Sequence, residues 1–307
     1  MNIQASIRIA DFFAFMRARH DIYIRRNKER RPVPWTDDPI LQQFRFCNIY
    51  RELDTVTIWI RQNIRERFAD HPHLWFMLAL ARRINLPATL EEIIADKKGA
   101  WPHGWGDSAY KPERLLELLD ARTTRGDPVY TGAYMITAET GPEHTGQTKS
   151  RTTAYSNLLP LWQQRARIEP HLHATLREAF DAILGQGFAW GPFMTYEVVT
   201  DLRHTRYLSQ ASDVSTWANA GPGAFRGLNR VFGRPLKQSQ KPEAACEEMR
   251  LLLSLAKRAW PKPSTWWPKL EMREIEHSLC EFDKYERVRC GEGRPRSLYK
   301  PSQHQGA

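Results

Sequence analysis

The sequence predicts a mainly α-helical protein with at most a short β element, built around a helix–hairpin–helix unit. Three observations carry that expectation. Apolar residues recur at helical spacing along most of the chain, and only residues 128–138 (PVYTGAYMITA) are enriched in β-branched and aromatic types. Glycines at 187 and 191 break a helix that ends near Leu184, and the periodic set Phe193, Met194, Val198 and Leu202 follows at once.

With 307 residues, 41% of them hydrophobic, the chain can bury a sizeable core. The expected organisation is one large helical domain over 1–290, or two packed lobes of about 1–150 and 151–290, with a basic, mobile tail at 291–307. The net charge of +10 favours a polyanionic partner, because neutralising phosphates releases counterions. Cys47, Cys246, Cys280 and Cys290 show neither Cys-x-x-Cys spacing nor clustering with histidine along the sequence, so no metal site is expected and a reducing compartment suits the chain. Arg8 and Asp11 interrupt the first apolar residues, which excludes a signal peptide there, and no run of about 18 apolar residues calls for a membrane.

In order, residues 7–29 set Phe12, Phe13, Met16 and Tyr23 against Arg17, Arg19, Arg25, Arg26 and Lys28, a basic helix that is either a solvated face or a DNA-backbone contact. Pro32 and Pro34 end it. Thr36, Asp37, Asp38 and Pro39 then offer an N-cap and a first-turn proline to a second long helix, over 40–68. Its apolar face holds Phe46, Ile49, Tyr50, Leu53, Val56 and Ile60. Its polar stripe of Arg45, Asn48, Arg51, Glu52 and Thr55 is hemmed in by Phe44, Cys47 and Trp59, and so reads as a pocket wall: Arg45 and Arg51 for an anion, Glu52 or Asp54 for a proton. A salt-bridge network along the helix is the alternative.

Helices over 74–83 and 90–98 follow, with Asp70 and Thr89 as caps, then a loop at 99–107 and an amphipathic helix carrying Leu115, Leu116, Leu118 and Leu119. A short strand fits 128–138. The loop 141–150 has two glycines, but Lys149 is displaced by two positions from where a nucleotide-binding phosphate loop needs it. A polar loop setting His144, Lys149 and Arg151 over a phosphorylated substrate remains. Residues 155–184 read as helix and deliver the chain to the hairpin, whose outward N–H groups suit a phosphate. Beyond it Glu197 and Asp201 share one helix face, and with Asp213 they form an acidic group that either activates a nucleophile or caps helices and pairs with Arg203 or Arg206. Gly221-Pro-Gly223 opens a short helix through Leu228, a polar linker spans 236–242, and two helices, 242–260 and 270–288, close the chain. Gly187, Gly191, Gly221 and Gly223, with Arg203, are the expected DNA contacts.

The order hairpin, helix, aspartate resembles the helix-hairpin-helix DNA glycosylases, in which a glycine hairpin grips the DNA backbone and an aspartate faces the extruded base. Phe188-Ala189-Trp190-Gly191-Pro192 replaces the usual wording, and no lysine stands where a bifunctional glycosylase would use one. Three segments together resemble the helical thymine-hypermodification proteins of bacterial viruses, the α-glutamyl/putrescinyl-thymine pyrophosphorylase or amino acid:DNA transferase group, whose helical domain recurs beside hydroxymethyl-deoxyuridine DNA kinases. They are FRFCNIYRELDTVT at 44–57, residues 191–202 with Asp213 and the Gly221-Pro-Gly223 turn, and LCEFDKYER at 279–287.

The resemblance implies a transferase that replaces pyrophosphate on 5-pyrophosphorylmethyl-uracil in double-stranded DNA with the amine of an amino acid or polyamine. It also implies action in the cytoplasm of the infected bacterial host, with the pathway's DNA kinase as a candidate partner. Such chemistry needs an extruded base, cations on the leaving group and a carboxylate base. By residue type, Asp213, Glu52 and Glu197 are the candidate catalytic carboxylates. Arg45, Asn48, Arg51, Asp54, Lys149, Arg151 and Asp201 are candidates for holding substrate, Asn48 for the uracil edge. No cofactor is called for, and a Mg2+ requirement is left open. A kinase-associated protein and a base-excision glycosylase are the alternatives.

Overall fold

The computed structural model describes residues 3–102, 110–141, 143, 145–259, 267–295 and 297–299. Among them the regular structure is helical, as the sequence predicts. In chain order the principal helices are α1 (Ile3–Tyr23, continued by the π-helical turn Ile24–Lys28), α2 (Pro39–Gln43), α3 (Thr55–Ile60), α4 (Leu74–Ile84), α5 (Pro87–Ala95), α6 (Pro112–Thr124), α7 (Leu176–Ile183), α8 (Pro192–Leu202), α9 (Pro222–Val231), α10 (Pro242–Ala259) and α11 (Met272–Arg289). No sheet forms among the described residues; one isolated antiparallel bridge joins Phe44 to Leu298. Residues 128–138 do not make the expected strand. A strand needs a neighbour, and here Thr131 N–H donates to the Ile84 carbonyl instead (3.2 Å) while the carbonyl of Val129 accepts the Thr89 hydroxyl (2.9 Å). Thr89 therefore lies inside α5 rather than capping it.

The chain divides into two compact units, one of Met1–Asp54 with Val214–Ala307 and one of Thr55–Asp213, so the boundaries fall after residues 54 and 213 rather than near residue 150. In the first unit α9 packs along α11, and α1, α2 and α10 pack on α11 as well. Phe12 and Phe15 of α1 meet Phe282 at ring-centroid distances of 5.5 and 5.7 Å. The α9–α11 approach is set by glycine: a Cβ on Gly227 would stand 2.3 Å from the Leu279 carbonyl oxygen, and one on Gly223 2.3 Å from Cys280 Sγ. The absence of a side chain on Gly223 is thus required by the packing of α9 on α11. Because the Leu279 obstacle is backbone, Gly227→Ala is expected to lose roughly 1–3 kcal/mol in denaturant unfolding.

Asp38 caps α2 as expected, its Oδ1 accepting from Ile40 and Leu41 N–H (2.8 and 3.1 Å). The long helix expected over 40–68 does not form. It is broken at 44–54, where only Arg51–Leu53 makes a single 3-10 turn. The expected free tail is partly tied down: Tyr299 N–H donates to the Gln43 carbonyl (2.9 Å) and Arg45 N–H to that of Ser297 (3.2 Å).

His20 of α1 is buried under Trp267 and Tyr50, with ring centroids 4.4 and 5.2 Å away. Burial, with Arg19 next to it, lowers its pKa from 6.5 to about 4. Unfolding lets the imidazole take up a proton below about 6.5, which the folded state refuses down to about 4. Stability is therefore expected to fall by roughly 2–3 kcal/mol between those two pH values. In pH-dependent unfolding, His20→Phe should flatten that slope.

The second unit is organised on α4, whose eleven residues are all buried, an all-round apolar helix that contains Arg82 and Arg83. Asn85, left-handed at φ +50°, ends it. α8 packs on α4 and α7 on α8. Thr175 and Asp213 together cap α7: Thr175 Oγ1 accepts from Glu178 N–H (3.1 Å), and Asp213 accepts from Leu176 (2.8 Å) and Arg177 (3.0 Å) N–H. This cap interrupts the helix expected over 155–184. The turn from α7 to α8 uses Gly185 at φ +74° and Ala189 at φ +63°. Its N–H groups are spent inward, Gly185 on the Trp190 carbonyl, Phe188 on that of Ser156 and Trp190 on that of Gly187. Gly187 is demanded by the crowding of the Asn157 and Ser156 carbonyls, each 3.1 Å from where a Cβ would sit. The outward set of donors expected for a phosphate is therefore not formed by these three groups.

Candidate functional site

In the second unit, Glu197 and Asp201 do share a face of α8, and that face meets Arg82 of α4. Arg82 Nε and Nη2 donate to the two Asp201 oxygens at 2.5 and 2.9 Å, and Nη2 also reaches Thr57 Oγ1 at 3.2 Å. Arg65 Nη1 lies 3.9 Å from Asp201, and Glu197 Oε2 lies 3.7 Å from Arg82 Nη1. Burial disfavours the Arg82 charge, but Asp201 outweighs it, so the guanidinium is held above its ordinary pKa. Asp201 has no solvent exposure. Its carboxylate is a structural counter-ion.

Glu197 differs from Asp201 in what stands next to it. Its Oε2 accepts the Tyr134 hydroxyl at 2.7 Å, and the Tyr134 ring meets Phe193 edge-on at 5.1 Å. Phe193, in the first turn of α8, is 57% exposed, and Met135, beside Tyr134 in the chain, is 83% exposed. A buried carboxylate is thus linked through Tyr134 to an aromatic ring that is uncovered. Lys149 and Arg151 of the same unit are exposed, with Arg151 over the Tyr155 ring at 5.0 Å. His144 lies outside the described residues. Arg203 donates to the Ser209 carbonyl at 3.0 Å, and Arg82 is an ion-pair partner of both α8 carboxylates that the sequence does not display.

In the first unit the broken stretch 44–54 is organised by Asn48. Its Nδ2 donates to the Leu53 carbonyl (2.9 Å) and to Asp54 Oδ1 (3.0 Å), its Oδ1 accepts from Arg19 Nη2 (2.8 Å), and its N–H donates to Asp54 Oδ1 (2.9 Å). Arg51 Nη1 holds the other Asp54 oxygen at 2.9 Å. An Asn that bonds the backbone this way offers the chain an alternative to helix, which is why the apolar periodicity here misleads. With both ends of its amide engaged, Asn48 builds the loop rather than presenting an edge to uracil. Glu52 is buried and stands 3.6 Å from Arg273 Nη1. Arg45 is exposed, its carbonyl accepting Lys284 Nζ at 2.5 Å.

The same loop brings Cys47 against α11. Cys47 N–H donates to Glu281 Oε2 at 2.9 Å, and Cys47, Asp54 and His277 each offer a potential ligand atom within 4.8 Å of the others. Burial, followed by the charges of Glu281 and Asp54, pushes the Cys47 thiol pKa up. Burial would also raise that of Glu281, but Lys284 and His277 bring it below the usual range. The cysteine–histidine proximity that the sequence does not display is created by the fold.

The predicted site residues fall in both units: Arg45, Asn48, Arg51, Glu52, Asp54, Gly221 and Gly223 in the first, and Lys149, Arg151, Gly187, Gly191, Glu197, Asp201, Arg203 and Asp213 in the second. Gly191 and Gly221 are N-caps of α8 and α9, with open space where a Cβ would be. Sequence reasoning missed Arg82, Arg65 and Tyr134 in one unit and Arg19, His277 and Glu281 in the other. Arg82 had a signal, a guanidinium directly behind the apolar run 74–81 and on the same helix.

Among known protein families, the model of the helical domain of 5-hmdU DNA kinase matches residues 6–294. A 5-hmdU DNA kinase of Bacillus phage SP10 is 24% identical over 235 residues, which are 72% of this chain and 36% of that protein, so the chain spans about a third of its relative's length. No solved structure matches. Among the described residues no helix is long and apolar enough to cross a membrane.

Proposed function

Since the chain belongs to the family of 5-hmdU DNA kinase helical domains, we propose that it serves thymine hypermodification in phage DNA as an amine:DNA transferase. It replaces pyrophosphate on 5-pyrophosphorylmethyl-uracil with the amine of an amino acid or polyamine. The amine nitrogen attacks the exocyclic methylene, the C–N bond forms as the C–O bond breaks, the electron pair leaves with pyrophosphate, and the surplus ammonium proton passes to a carboxylate. The observation that carries this reading is Glu197 beside Tyr134 and the uncovered Phe193 and Met135. Glu197 is the carboxylate of α8 that lies one turn from the exposed Phe193 and is held by Tyr134, which makes it the preferred base of the α8 region. Exposed Lys149 and Arg151 suit the leaving pyrophosphate. The net charge of +10 suits the duplex.

The relative's name favours a second reading, in which the chain presents DNA to a separate kinase. Kinase chemistry within this chain itself is disfavoured, because among the described residues no strand leads into the loop at 141–150. Mass spectrometry of nucleosides separates the two. DNA carrying 5-pyrophosphorylmethyl-uracil, incubated with the protein and a mixture of amines, should yield a heavier, amine-bearing nucleoside. Unchanged nucleosides with every donor, together with faster phosphorylation of hydroxymethyl-uracil DNA by an added kinase, would establish the second reading instead.

A further inference from the structure

We propose that Cys47, Asp54 and His277 form a Zn2+ site with three protein ligands and a fourth position open to water. The three side chains come from two elements of one unit, Cys47 and Asp54 from the loop ordered by Asn48 and His277 from α11. Their ligand atoms stand within 4.8 Å of one another. Tetrahedral Zn2+ with bonds of about 2.0–2.3 Å sets its ligand atoms roughly 3.3–3.7 Å apart, so a contraction of about 1 Å, within reach of rotamer adjustment, closes the trio on the ion. Thiolate, imidazole and carboxylate together make a borderline-soft donor set that suits Zn2+ better than Mg2+ or Ca2+. One thiolate and one carboxylate also balance the charge of the ion.

The trio is also braced from outside. Metal ligands are held by an outer ring of hydrogen bonds that fixes their orientation. Here Asp54 takes bonds from Asn48 N–H, Asn48 Nδ2 and Arg51 (2.9, 3.0 and 2.9 Å), and Asn48 is itself braced by Arg19 at 2.8 Å. The backbone of Cys47 is pinned by Glu281, one helical turn beyond His277 on α11. Lys284 in turn holds Glu281, at 3.1 Å. Asp54 is thereby aimed, and the loop that breaks the expected helix has a purpose beyond packing.

The site stands apart from the transferase reading, and its test does not use the reaction. The full chain, stripped with chelator and reloaded with one equivalent of Zn2+, should retain about one ion per chain by elemental analysis after gel filtration. Loaded with Co2+, it should show the near-ultraviolet absorption of a thiolate bound to cobalt. That absorption should vanish in Cys47→Ser and persist in Cys246→Ser, whose thiol is buried elsewhere against the Ala218 carbonyl. Asn48→Ala, which removes a brace and no ligand, should weaken Zn2+ affinity about 10–100-fold. Protein that retains no Zn2+, or that binds Co2+ without the sulfur band, overturns the proposal. Because that band is read on the unmutated chain, a folding defect in Cys47→Ser does not alter what it shows.

Discussion

Arg82→Met is expected to destabilise the second unit by about 3–5 kcal/mol and to lower its Tm by roughly 10 °C. The cause is the partner it abandons. Asp201 has no exposure, and its two oxygens accept from Arg82 at 2.5 and 2.9 Å, so removing the guanidinium strands a carboxylate in the core. Arg65, 3.9 Å away, offsets part of the loss, which favours the lower end of the range. Replacing both partners tells a stranded charge from simple loss of packing. Arg82→Met with Asp201→Leu should recover most of the stability, since an apolar pair of similar volume is often as stable as a buried ion pair. Thermal unfolding followed by circular dichroism reads both variants. A single-variant loss below about 1 kcal/mol would mean that the pair contributes no more than a surface one.

Glu197→Gln is expected to reduce the rate of pyrophosphate release by about 10²–10⁴-fold with DNA affinity nearly unchanged. The amide keeps an oxygen for the Tyr134 hydroxyl, now at 2.7 Å, so the variant should fold and melt like the parent. What it loses is the ability to take a proton. Single-turnover measurement with saturating amine isolates that step, and a rate within threefold of the parent would remove Glu197 from the mechanism. Tyr134→Phe, which deletes a positioning hydrogen bond and no base, should cost far less.

Much of the architecture was legible in the sequence because helical periodicity is a local property. The termini of α4, α8, α9, α10 and α11 lie within a few residues of expectation, α6 carries the four leucines expected of it, and Asp38 caps α2 as its place before Pro39 implies. The failures lie where the partners that decide a segment's conformation are not displayed by its local pattern. Asn48 overrides the periodicity of 40–68 through Arg19 and Asp54, and the run at 128–138 lacks a strand to pair with. The carboxylates of α8 were found from their four-residue spacing, whereas Arg82 is 119 positions distant from Asp201 and could be matched to it only in the fold. Of the two roles the sequence leaves open for Asp213, its bonds to the N–H groups of Leu176 and Arg177 are those of a helix cap. Cys47 and His277 lie too far apart along the chain for any spacing motif to join them.

The division of the chain also sets an order of events during synthesis. The unit Thr55–Asp213 is continuous, whereas the other is assembled from Met1–Asp54 and Val214–Ala307. At about 5–20 residues per second, the ribosome withholds Phe282 from Phe12 and Phe15 for on the order of ten seconds or more after α1 is made. During that interval Phe46 and Tyr50 are aromatic partners of α1 already made, and the side that Phe282 covers stays open to chaperones and to aggregation, while the continuous unit is free to close behind it.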